Sequence, residues 1–139
     1  MSRILAIDYG LKRSGIAVTD PLQIIVSPLT TIPTPELFGF LKDYFAKEDV
    51  ELMVIGEPKH ADGQPTYVSD KVHGFVRYLQ KELPQIPIAL EDESFSSAEA
   101  MNTLVRSGAK KKKRREKGTL DKISAAIILE RYLQRIGKY

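Results

Sequence analysis

Cysteine is absent from all 139 residues, which removes disulfides, thiolate zinc sites and a cysteine nucleophile from consideration. Long apolar runs are missing too: none approaches the ~20 residues a membrane-spanning helix needs. The opening MSRILAIDYG lacks the layout of a signal peptide, so the expectation is a cytoplasmic protein with no membrane partner. Only two histidines occur, His60 and His73, and they do not make a catalytic pair. His73 falls within a helical stretch, where it packs or faces solvent, and His60 falls in a loop. No internal repeat is present. What remains is an ordinary apolar fraction, 42%, in a length that fits one folded domain spanning 1–139.

Charge is unevenly spread. The net formal charge is only +3, yet KKKKRREK (Lys110 to Lys117) holds seven basic residues and one acidic. Taking these from the 21 basic and 18 acidic residues of the whole chain leaves 14 and 17, a mildly acidic body. A basic segment on such a body suggests one face for a polyanion.

Periodicity predicts three strands first, at residues 3–7, roughly 15–19 and roughly 23–32. The connections DYGLKRSG and DPLQ are short and turn-forming, so these strands form an antiparallel meander. Thr34 then reads as an N-cap with Pro35 at the first helical position. Leu37, Phe38, Phe40, Leu41, Tyr44 and Phe45 follow at helical spacing. ELMVIGEP is a buried strand ending at Gly56. A second helix runs from about Thr66 to Leu83, and IPIALEDE is the next strand. SSAE (Ser96 to Glu99) is a capping box opening a third helix, and LDKISAAIILERYLQRI is the last. Strand–helix–strand units demand parallel strands with right-handed crossovers. The expectation is an α/β, ribonuclease H-like domain: a five-stranded mixed sheet of order 3-2-1-4-5 with helices on both faces.

On that order Asp8 leaves the carboxyl end of the central strand, the edge where open α/β sheets bind ligands. Glu57 ends strand four at the same edge, Glu91-Asp92-Glu93 ends strand five there, and Asp121 sits in the first turn of the last helix. Each has a structural explanation alone: a turn residue at Asp8, a solvated strand end at Glu91 to Glu93, a favourable helix dipole at Asp121. Together they repel unless cations neutralise them. Oxygen donors without cysteine or a dedicated histidine favour Mg²⁺ or Mn²⁺ over zinc. Two such ions about 3.5–4 Å apart can activate water and stabilise the leaving oxygen of a phosphodiester.

The tract Lys110, Lys111, Lys112, Lys113, Arg114 and Arg115 leads directly into the helix carrying Asp121. It offers salt-dependent, sequence-independent grip on a nucleic-acid backbone, and with no aromatic residue it offers no base stacking.

The segments RILAIDYGLKRSGIAVTDP, VIGEPKHADG, ALEDESFSSAEA and GTLDKISAAIILERYL together resemble the YqgF family, also called RuvX, over nearly the whole chain. The resemblance implies a ribonuclease H-like nuclease linked to maturation of the 5′ end of pre-16S rRNA, with resolution of branched DNA as the older proposal. It implies RNA as the first partner, branched DNA and ribosomal particles as others, and leaves the oligomeric state open. The family's acidic positions fall on Asp8, on Glu93 with Asp92 beside it, and on Asp121; Lys12 and Arg13 match its basic pair and would contact phosphate. Two positions depart from the pattern. Ser94 stands where the family has arginine after Asp-Glu, and Glu57 stands where it has an apolar residue, making Glu57 a rival to Glu93 as a metal ligand. A non-catalytic RNA-binding assembly factor on the same fold is the alternative of another class. A sugar-kinase or actin-like cleft does not fit so short a chain.

Overall fold

The structure, a computed structural model, describes residues 2–57, 67–92 and 119–137. The strands are β1 (Arg3–Asp8), β2 (Arg13–Thr19), β3 (Val26–Pro33), β4 (Val50–Glu57) and β5 (Ile88–Asp92). The helices are α1 (Leu37–Lys47), α2 (Tyr67–Glu82) and a C-terminal α3 (Thr119–Arg135). The strand order is β3-β2-β1-β4-β5, antiparallel across the first two pairs and parallel across the last two. This is the expected mixed sheet. The expected helix from Ser96, the basic tract, Glu93, Ser94 and His60 all lie outside the described residues.

Alternation along each strand divides the core into two layers. Leu5, Ile7, Ile16, Val18, Met53 and Ile55 face α1 and α2, where they meet Leu37, Leu41, Val72 and Leu79. Ile4, Ala6, Ala17 and Val54 face the other way and meet Ala125, Ala126, Ile128, Leu129 and Leu133 of α3. Each fully buried leucine or isoleucine contributes roughly 1.5–3 kcal/mol relative to exposure, so both layers are needed to hold the sheet between its helices. No helix among the described residues is long and apolar enough to cross a membrane.

Two connections differ from the sequence reading: the link into α1, and the β2–β3 turn, which runs on to Ile25 so that β3 starts at Val26 rather than near residue 23. Thr34 is not the N-cap of α1: a 3₁₀ turn, Thr34–Glu36, precedes that helix, and no side chain caps either start. The Thr34 hydroxyl instead donates to the Gly10 carbonyl at 2.6 Å and lies 2.9 Å from the Ser14 hydroxyl, while its amide donates to the Lys12 carbonyl. A long-range demand from the β1–β2 turn thus overrides a local capping preference. At the opposite edge of the sheet the Asp20 carboxylate accepts from the amides of Leu22, Ile24 and Ile25. Those bonds, that of Ile25 foremost, hold its pKa below the ordinary 3.8 and fix the β2–β3 turn.

Candidate functional site

The β1–β2 turn is built for closeness. A side-chain carbon added at Gly10 would lie 2.2 Å from the Arg13 carbonyl oxygen, so only glycine closes this turn. The result pins Asp8, at the end of β1, directly across from Gly15 of β2. Asp8 follows Ile4 and Ala6 in the alternation and therefore lies on the α3 face. Gly15 shares that face, and a carbon added to it would fall 2.0 Å from the Asp121 carbonyl oxygen. The first turn of α3 is thus seated against the strand pair that carries Asp8. Two of the expected acidic residues, 113 positions apart in the chain by their numbers, come to one face at the carboxyl edge.

Asp121 is engaged. Arg13 Nε donates to its Oδ2 at 3.0 Å, with the guanidinium side chain 45% exposed and the carboxylate 27% exposed. The arginine expected to grip nucleic acid therefore contacts a candidate metal ligand, while its neighbour Lys12 is exposed. Asp121 also lies in the first turn of α3, where the helix dipole favours a negative charge.

The other acidic residues separate by face. Glu57 alternates with Met53 and Ile55, so it lies on the α1–α2 side, away from Asp8. There its Oε2 lies 2.5 Å from Nε2 of His73 on α2. Asp92 is the register partner of Glu57 and shares its face. Glu91 returns to the α3 face, where Arg135 Nε donates to its Oε1 at 2.7 Å; its side chain is only 11% exposed. That is a structural ion pair.

Asp8 and Asp121 offer carboxylate oxygens alone, and the only described imidazole lies on the opposite face, so the donor chemistry fits a hard divalent cation. Among the described residues no three histidine, aspartate or glutamate side chains converge to hold an ion. The expected third donor, Glu93, is not one of those residues. Sequence reasoning missed Gly15 and the Glu57–His73 pair. Gly15 stood inside the segment RILAIDYGLKRSGIAVTDP, just after Lys12 and Arg13, without a role; an acidic residue at an apolar family position was the signal for the pair.

The strand order and the helix layers on both faces define a ribonuclease H-like domain. The solved structure titled "T. thermophilus RuvC in complex with Holliday junction substrate" superposes with a TM-score of 0.58, covering 99% of this chain and 98% of that one. At 16% identity this likeness is one of fold. Residues 2–135 match the RuvX family, described as Holliday junction resolvase, and the chain belongs to it. A relative in Flavobacterium johnsoniae named "Putative pre-16S rRNA nuclease" is 53% identical over 96% of both chains. One of the same name in Flavobacterium psychrophilum is 50% identical, covering 97% of this chain and 98% of its own.

Proposed function

We propose that this protein is a divalent-metal-dependent nuclease acting in the cytoplasm on RNA, and that its task is maturation of the 5′ end of pre-16S rRNA. The observation that carries the reading is the seating of the α3 first turn on Gly15, which brings Asp121 to the face and edge that Asp8 occupies. Membership of the RuvX family and the names of relatives near 50% identity support nuclease chemistry and RNA as substrate.

Asp8, Asp121 and Glu93 would hold Mg²⁺ or Mn²⁺. Glu93 is preferred because it matches the family's acidic position, while Asp92 and Glu57 lie on the α1–α2 face, away from Asp8. When bound, such ions activate water and neutralise charge developing at phosphorus. The chain's own residues do the rest. Lys12 and Arg13 bind the phosphate beside the cut, Lys110 to Arg115 grip the flanking backbone, and Gly15 keeps the two aspartates together. No histidine is needed as a base, and His73 is already turned to Glu57.

Cleavage of branched DNA is the second reading, favoured by the family's description and by a fold shared with RuvC. The deciding experiment offers purified wild-type and Asp8→Asn proteins a pre-16S rRNA fragment and a four-way DNA junction, each with Mn²⁺, Mg²⁺ or EDTA. We expect RNA cleavage by wild type with metal, none by Asp8→Asn, and RNA binding in both. Wild-type turnover in the variant refutes the assignment. Binding without cleavage under every condition leaves an RNA-gripping assembly factor.

A further inference from the structure

The pairing of Arg13 with Asp121 gives the site a regulation beyond metal and substrate binding alone. We infer that Arg13 is a removable counter-cation: without RNA its guanidinium holds Asp121, and a bound phosphodiester draws it off and frees that carboxylate for the divalent cation. This rests on the assignment of Asp121 as a metal ligand.

Three features support it. The contact is made by Nε alone to one oxygen, so the terminal nitrogens of the guanidinium are not used in it. Arginine presents five donors in a planar fork, and two of them suit a phosphate. Both side chains are partly exposed, at 45% and 27%, so the pair is weak and exchangeable rather than a locked structural bridge. Finally, a divalent ion on Asp121 would meet the guanidinium as a like charge at close range. Metal and Arg13 therefore compete for one carboxylate. Phosphate and Asp121 compete, in turn, for one guanidinium. By linkage, RNA that engages Arg13 raises metal affinity, and metal that displaces Arg13 raises RNA affinity by the same factor. The ion is then loaded more readily where RNA is present.

The test uses the full chain in two arms, with thermal melts confirming that each variant is folded. The first titrates Mn²⁺ alone, without RNA, by electron paramagnetic resonance. Arg13→Gln is expected to tighten Mn²⁺ binding by about two- to five-fold, the scale of a partly exposed ion pair. Lys12→Gln removes the same charge one residue away and should do clearly less. In an Asp121→Asn background, Arg13→Gln should have no further effect. The second arm measures binding of a labelled pre-16S RNA oligonucleotide in EDTA. There Asp121→Asn frees the guanidinium and is expected to tighten RNA binding by about two- to five-fold, a gain that Arg13→Gln removes.

Mn²⁺ affinity that falls or stays unchanged in Arg13→Gln, or that Lys12→Gln raises equally, overturns the exchange while leaving the metal site standing. Should wild type and Arg13→Gln bind no Mn²⁺ while Asp121→Asn still tightens RNA in EDTA, the metal assignment falls and the exchange between Asp121 and phosphate survives. An RNA affinity indifferent to Asp121→Asn overturns it as well.

Discussion

The two faces of the sheet end differently at the carboxyl edge. On the α1–α2 face the strands present large side chains, Leu5, Ile7, Ile16, Met53 and Ile55. Glu57 reaches α2 through the imidazole of His73. On the α3 face the residues before Asp8 and after Gly15 are Ala6 and Ala17, and α3 answers with Ala125 and Ala126. Small residues on both sides let the helix come down onto the sheet until its first turn touches Gly15. Carboxylates occur on both faces, but close backbone approach occurs at Gly15. Packing volume decides on which face a helix can bring its carboxylate down to one carried by a strand; on the other face Glu57 and Asp92 are neighbours through strand register.

The largest expected effect is on the α3 face. Residues that only orient a metal's ligands cost about 10–100-fold when removed, so Asp8→Asn should lower RNA cleavage by more than about 100-fold. Loss of Mn²⁺ binding in the same variant, read by electron paramagnetic resonance, would tie the defect to the ion rather than to folding. Next comes the spacing itself. Gly15→Ala puts a carbon where the Asp121 carbonyl stands, and backbone rather than a flexible side chain must yield. We expect a loss of about 1–3 kcal/mol, the usual scale of overpacking, together with reduced cleavage. Gly39→Ala is its counterpart on the other face. Nothing lies within 4 Å of the added carbon in the first turn of α1, so replacing this helical glycine should stabilise by up to about 0.5–1 kcal/mol. Urea unfolding of the two variants measures both, and equal changes would sink the distinction between the faces.

Much of this was legible in the chain. The strand order followed from short links between β1, β2 and β3 and longer crossovers afterwards, and the edge position of Asp8 followed from that order. Alternation, once register is known, sorts Glu57 and Asp92 from Asp8. Register between β4 and its neighbours is a tertiary fact, however, so the sequence left Glu57 as a rival. Thr34 failed for a related reason. Its residue type and the following proline favour a cap, but three bonds to the β1–β2 turn, 20 or more residues back, outweigh one local bond. The Arg13–Asp121 contact joins residues 108 positions apart. Only the fold reports such a pairing.

The smallest expected effect falls on the α1–α2 face, at Glu57. Its carboxylate side chain is 16% exposed and its partner His73 is 40% exposed, and pairs of this partly solvated kind contribute at most about 1 kcal/mol. Glu57→Gln keeps the size of the side chain and an acceptor oxygen for the imidazole while removing the charge. Stability should therefore fall by no more than about 1 kcal/mol, and RNA cleavage and Mn²⁺ affinity should stay near those of wild type, because the side chain lies on the face away from Asp8. A collapse of cleavage in Glu57→Gln comparable to that in Asp8→Asn would mean that the site draws ligands from both faces. The sheet edge would then have to open at Gly56, between β4 and β1, to let them meet. That result would reverse the comparison between the faces, since close packing at Gly15 would no longer decide where the cation sits.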